Sequence, residues 1–277
     1  MITKEKEELV INHYSKGLTP KKVAELVCCN VKTVRAILLR NNIKIRTLSE
    51  ASMKYSCNDN FFSVIDSEIK AYWLGALYAD GNISKKASKS GQIFLTSSDE
   101  EWVLDFMQAV ASTNKPRREF HRKYKTYVWK AQITSAPMFN NLNDLGCTPA
   151  KSKTITFPTI PDDLVHHFIR GYFDGDGTVG AYRNLKANNW QVLRSGICSG
   201  SEIFIKQMLE KIPVKNKNIY HRGVHTTQFS LNDSIALYNY MYNNASVYLL
   251  RKKQVFDKYL LEYKPRKRFR DYNGLPK

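Results

Sequence analysis

Acidic residues are scarce: 25 Asp and Glu stand against 43 Lys and Arg in 277 residues, a formal net charge of +18. An excess of that size points to a polyanionic partner. No apolar run approaches the roughly 18–20 residues that a membrane helix needs, and no strongly amphipathic basic helix favours a membrane surface, so nucleic acid is the expected polyanion. The first dozen residues, MITKEKEELVIN, mix charges of both signs and fit neither a signal peptide nor an Arg-rich transit peptide, so a cytoplasmic location is expected. Five scattered cysteines (Cys28, Cys29, Cys57, Cys147, Cys198) form no CxxC pair. That argues against a disulfide framework or a structural zinc site and fits a reducing compartment. What is present suffices to fold: 43% apolar and 12% aromatic residues over a length that suits one large or two to three small domains.

Residues 1–46 read as a self-contained unit. EKEELVINHYSKG places Leu9, Val10, His13 and Tyr14 at helical spacing and ends at Gly17. Thr19-Pro20 is an N-cap followed by proline at the first helical position. The helix it opens puts Val23, Ala24 and Val27 on one face, and Cys28-Cys29-Asn30 leads to a third helix with Val31, Val34, Ile37 and Leu38 inward. Two short helices joined by a tight turn, the second bearing Lys32, Thr33, Arg35 and Arg40, resemble the helix-turn-helix units of resolvase-type DNA-binding proteins. Residues 47–66 read as a linker. Residues 251–277 carry ten basic residues against three acids, and 263–277 read as an extended basic tail.

The informative feature is a repeat. AYWLGALYADGNIS (71–84) and HFIRGYFDGDGTVG (167–180) share G-x-x-x-[AG]-D-G, matching Gly75, Ala79, Asp80 and Gly81 to Gly171, Gly175, Asp176 and Gly177, with the two acids 96 positions apart. Two copies suggest two equivalent half-domains. Small residues four apart share one helix face. Glycine inside a helix costs about 1 kcal/mol, which close backbone approach of the two helices would explain. Each copy ends in Asp-Gly, with the glycine expected as a left-handed cap. A carboxylate at a helix C-terminus opposes the macrodipole, and two such acids brought together repel, unless a divalent cation lies between them. Oxygen-only ligation suits Mg2+ or another divalent cation, which can activate water for phosphodiester hydrolysis. An EF-hand reading of Asp174-Gly175-Asp176-Gly177 fails, because Val179 and Leu185 stand where glycine and glutamate are required.

WLGALYADG and IRGYFDGDG, the second introduced by FPTIPDDLVHHF, resemble the LAGLIDADG homing endonucleases in the form with two motifs in one chain. The resemblance covers roughly residues 65–260 and departs at Tyr78, where the family often has an acid. It implies an α+β fold: two pseudo-symmetric αββαββα half-domains (67–160 and 161–262) packed through their motif helices, behind the small all-α helix-turn-helix domain. It implies metal ligation by the last motif acids, Asp80 and Asp176, and by position in the chain it implies Lys151 and Lys252 as the active-site lysines, with Lys153 and Lys253 as the alternatives. The adjacent His166-His167 pair lies at the opposite end of its motif helix from Asp176 and reads as structural or DNA-facing.

The intervening segments fit that order. GQIFLTSS, TYVWKAQITS, WQVLRSGICS and VHTTQFSLN read as strands and DEEWVLDFMQAVAS and SEIFIKQMLEKI as helices. A half-polar sheet rich in Arg, Lys, Gln, His and Thr suits a DNA major groove. Candidate readers are Arg118, Arg122, Lys130, Gln132 and Thr134, then Arg183, Gln191, Arg194, His225, Thr227 and Gln228; Gln92, Gln132 or Gln191 would position a water. The expectation is a monomeric, Mg2+-dependent, site-specific double-strand DNA endonuclease. With no splice-junction residues at either end, it is expected to be free-standing or intron-encoded. A non-cleaving DNA-binding regulator and an intron-RNA splicing maturase are the alternatives on the same scaffold.

Overall fold

The computed structural model describes residues 3–46, 55–85, 91–122, 125–184 and 190–262, without the side chains of 183, 184 and 190. The expected basic tail and residues 47–54 of the expected linker lie outside the described residues. Contacts divide the chain into two compact units, Met1–Ser56 and Cys57–Lys277.

The first unit holds three helices, α1 (Lys4–Ser15), α2 (Pro20–Leu26) and α3 (Val31–Arg40). Each starts where a side-chain oxygen accepts from a first-turn amide: Thr3 from Lys6, Thr19 from Lys22 and Asn30 from Lys32. Gly17, at φ +95°, ends α1 in the left-handed region that glycine tolerates. The core is Val10, Tyr14, Val23, Ala24, Val27, Val34, Ile37 and Leu38. Leu9, at helical spacing with Val10 and Tyr14, is 47% exposed.

In the second unit the element order repeats. The first series is α4 (Glu68–Asp80), β1 (Gly81–Lys85), β2 (Gly91–Ser97), α5 (Glu100–Ala109), β3 (Arg117–His121), β4 (Thr126–Thr134) and α6 (Ala136–Asp144). The second is α7 (Val165–Asp176), β5 (Gly177–Asn184), β6 (Trp190–Ser199), α8 (Glu202–Lys211), β7 (Tyr220–His221), β8 (His225–Phe229) and α9 (Leu231–Tyr242), closed by α10 (Leu250–Glu262). Each series builds a four-stranded antiparallel sheet, in the orders β1-β2-β4-β3 and β5-β6-β8-β7. None of the described helices is long and apolar enough to cross a membrane.

Period-two alternation decides what each sheet buries. In the first, Ile83, Ile93, Leu95, Ala131 and Ile133 share the face that packs on α5 and α6. In the second, Leu193, Ser195, Ile197, Thr227 and Phe229 do the same under α8 and α9. The opposite faces carry the polar rows.

The motif helices α4 and α7 lie at the centre of this unit, and every residue of α4 from Ala71 to Tyr78 is buried. Gly81 and Gly177 are not left-handed caps, as the sequence had led us to expect: their φ/ψ are −81°/147° and −79°/158°. The chain turns straight from helix into strand at each, and glycine is required for space. A Cβ on Gly81 would sit 2.6 Å from the Leu77 Cα, and one on Gly177 would meet the carbonyl of Phe173.

Candidate active site and nucleic-acid interface

Small residues set the approach of α4 to α7. A Cβ on Gly75 would lie 2.9 Å from the Phe168 carbonyl carbon, and one on Gly171 would lie 2.8 Å from that of Tyr72. The helices therefore touch backbone to backbone. One turn on, Gly175 faces the Ala79 methyl, and a Cβ there would be 3.1 Å from Asp80 Oδ2. This close contact brings the last residues of both helices, Asp80 and Asp176, to one place.

The electrostatics are those of two acids sharing a half-buried pocket. Burial, and then the neighbouring charge of Asp176, push the Asp80 carboxyl up to about 6 despite the pull of Lys252, Lys151 and Arg251. Burial also raises Asp176, opposed by Lys252, by the Tyr172 hydroxyl beside it and by Lys151. Both lysines are buried and reach the carbonyl of the glycine after each acid: Lys151 Nζ donates to Gly81 O, and Lys252 Nζ donates to Gly177 O at 2.6 Å. Lys252 also donates to the carbonyls of Phe173 (2.8 Å) and Gly175 (2.9 Å), using all three ammonium hydrogens at the C-terminus of α7. Placing a cation there offsets the cost of Asp176 at the negative end of the dipole. Burial brings the Lys252 ammonium down to about 8. Lys153 is exposed, and Lys253 is paired with Asp257 at 2.7 Å, so neither alternative lysine faces the acids.

A second acid of the motif has a different task. Asp174 is buried and accepts from Tyr72 (2.8 Å), Tyr242 (2.6 Å) and the backbone amide of Leu249 (2.7 Å). This network ties α7 to α4, to α9 and to the start of α10. At the other end of the helices, the fully buried Arg170 bonds Glu68 (2.6 Å) and the carbonyls of Val247 and Met241. His167 lies against Arg170, with the His166 ring 3.8 Å away and tilted 39° to it, far along α7 from Asp176; burial and Arg170 lower the His167 imidazole to about 4.

The strand registers sort the candidate readers by face. Lys130, Gln132 and Thr134 share the open face of the first sheet with Asn82, Phe94 and Thr96. Arg118 pairs with Trp129, on the other side of the pleat, and lies 4.2 Å over the Tyr127 ring; its neighbour Arg117, which composition did not single out, is the one opposite Lys130. Arg122 is exposed just beyond β3. In the second sheet Arg194 and Gln228 occupy the open face. Gln191, His225 and, by register, Arg183 fall on the helix side, although Gln191 is exposed at the strand end. The Arg183 side chain lies outside the described residues. Thr227 is fully buried and unable to touch a ligand. Gln92 is also buried, on the open-face register. In the first unit Lys32 and Arg35 are exposed and Thr33 partly so, along the outer side of α3. Arg40 is held by Glu7 at 2.7 Å.

No protein-family model matches the chain. An alignment 169 positions long, which takes in 57% of this chain, is 24% identical to the replication factor C small subunit of Methanocaldococcus jannaschii and spans about 9% of the relative's length. Among solved structures, the homing endonuclease I-WcaI bound to its DNA recognition sequence superposes with a TM-score of 0.50 at 11% identity, over 78% of this chain and 96% of the other. In fold the chain is similar to a homing endonuclease. The LAGLIDADG meganuclease I-AabMI bound to uncleaved DNA matches at a TM-score of 0.49 and 10% identity, covering 71% and 90%. Among the described residues no group of three or more His, Cys, Asp or Glu is gathered that could hold a metal.

Proposed function

We propose that the protein is a site-specific, double-strand DNA endonuclease that hydrolyses phosphodiesters with a divalent cation, acting as a monomer on a long asymmetric target. The observation that carries this reading is the meeting of Asp80 and Asp176 at adjoining helix ends, with burial and mutual charge lifting Asp80 to about 6. Two half-buried acids that repel one another are poorly placed for stability and well placed to receive a cation. The donor set is carboxylate oxygen: the neighbouring Cys198 thiol is pushed up by burial and by the charge of Asp176, and its Sγ donates to the Asp176 carbonyl at 3.3 Å. The two carboxylates fit Mg2+ completing its shell with water and phosphate oxygens. Bound there, the cation would activate water and stabilise the leaving oxygen.

The chain's own residues then divide the work. Asp80 and Asp176 hold the cation. Lys151 and Lys252 keep the glycine carbonyls and helix ends in place and set positive charge beside the scissile phosphates, where negative charge grows. The open sheet faces lie along the groove, and Lys32, Thr33 and Arg35 of the first unit add contacts as a helix-turn-helix. The likeness to a DNA-bound homing endonuclease supports the DNA partner.

The test is to incubate the protein with a randomised duplex library in Mg2+ or in EDTA and sequence the new ends. Cleavage at a recurring site only in Mg2+, lost in Asp80→Asn and in Asp176→Asn, supports the reading. Specific binding without cleavage in Mg2+, Mn2+ or Ca2+ would overturn it in favour of a non-cleaving regulator.

A further inference from the structure

The two sheets correspond row by row when counted from the glycine after each acid. Gly81 pairs with Leu95 and Leu95 with Ala131; Gly177 pairs with Ile197 and Ile197 with Thr227. The next row outward is Asn82–Phe94–Gln132 in the first sheet and Thr178–Gly196–Gln228 in the second. Beyond it, Ser84–Gln92 corresponds to Gly180–Arg194. On the near side, Thr96–Lys130–Arg117 corresponds to Cys198–Thr226–Tyr220. At every one of these open-face positions the residues differ, except at the glutamines.

The glutamines are also fixed alike. Asn114 Nδ2 donates to the Gln132 carbonyl at 3.0 Å, and Asn216 Nδ2 donates to the Gln228 carbonyl at 2.9 Å. These bonds hold the backbone and leave the side chains uncommitted, and no hydrogen bond to either side-chain amide is found among the described residues. Lys130 is not comparable, since it is engaged by Glu119 at 3.4 Å and by the Phe94 ring. Glutamine reads adenine with both of its polar atoms: Nε2 donates to N7, and Oε1 accepts from the N6 amino group.

We propose that Gln132 and Gln228 each read one A·T pair, at positions related by the dyad of the target. The site is then asymmetric at its other open-face contacts and symmetric at this one. The inference rests on the DNA reading above and adds to it a named base and a named geometry.

The experiment is selection of bound duplexes from a randomised library by the full-length protein in EDTA, followed by sequencing. The expected motif carries adenine, on opposite strands, at one pair of positions equidistant from its centre. Gln132→Glu should change the preference in one arm only, from A·T to C·G, because glutamate accepts from the cytosine amino group. Gln228→Glu should do the same in the other arm. Either Gln→Ala variant should relax its own position by on the order of tenfold and leave the rest of the motif intact. A motif without the adenine pair, or with the pair unmoved in all four variants, overturns this inference and leaves the DNA reading standing. A pool with no motif at all overturns both.

Discussion

Asp80→Asn should make the cation-free protein more stable while removing cleavage. Lifting the Asp80 carboxyl from its ordinary 3.8 to about 6 corresponds to about 3 kcal/mol against the charged form, at about 1.4 kcal/mol per pKa unit. Asp80 keeps some contact with solvent, which brings the expected gain to about 1–3 kcal/mol. Asparagine has nearly the same shape and carries no charge to repel Asp176. The pH dependence has a definite sign. Asp80 binds its proton more tightly in the folded than in the unfolded chain, so this group's contribution to stability is full below about pH 4 and is lost as pH rises through about 6. The gain from Asp80→Asn is therefore largest above pH 7 and absent near pH 4. Urea unfolding in EDTA measures it, followed by tryptophan fluorescence: all four tryptophans (Trp73, Trp102, Trp129, Trp190) lie in the second unit, so the signal reports that unit alone. The midpoint at pH 7.5 should rise by roughly 0.5–1 M. Adding Mg2+ should then stabilise the wild type and not the variant, by about 2.7 kcal/mol at a hundred times the dissociation constant. A variant no more stable than wild type at pH 7.5, or a gain that persists undiminished at pH 4, would refute the account of the two acids.

Two further substitutions test the frame. Gly171→Ala puts a methyl group against the Tyr72 backbone, which cannot move aside as a side chain would; the clash should outweigh the roughly 1 kcal/mol of helix propensity gained and leave a net loss of about 2 kcal/mol or more in urea unfolding. Lys252→Met takes a donor from three backbone carbonyls, of which that of Phe173 keeps the Gly177 amide, and Lys151→Met takes a donor from only one, so the first should cost about 2 kcal/mol and the second about 1 kcal/mol; equal losses would mean that the capping of α7 is not what Lys252 contributes.

The motif helices were legible because glycine inside a helix needs a reason, and two copies 96 residues apart supply one. The same economy hid β1 and β5. Each begins at the motif glycine itself, so no turn residue marks the boundary, and an Asp-Gly helix end that reads as a left-handed cap is extended instead. Asp174 was readable only as a failed calcium loop, since its three donors come from Tyr72, Tyr242 and Leu249, all distant in the chain. Face assignment was the other limit. Alternation shows that β4 has a buried and an open side, but Arg117 and Arg118 are adjacent, and only the pairing of β3 with β4 decides which of them shares the face of Lys130.

That limit explains why composition overstates the interface. Of the residues proposed as readers, some stand on the helix side of the pleat, Lys130 is tied to a carboxylate, and Thr227 is sealed in the core. The charge of +18 is a property of the whole chain, and it favours any polyanion without setting recognition. Recognition needs side chains that are rigidly mounted, open and uncommitted, and those conditions are met by far fewer residues than the sum of Lys, Arg and Gln. Phosphate attraction and base reading should therefore separate on mutation. Loss of exposed lysines would weaken binding to all sequences alike, whereas loss of an anchored glutamine would change which sequence is bound.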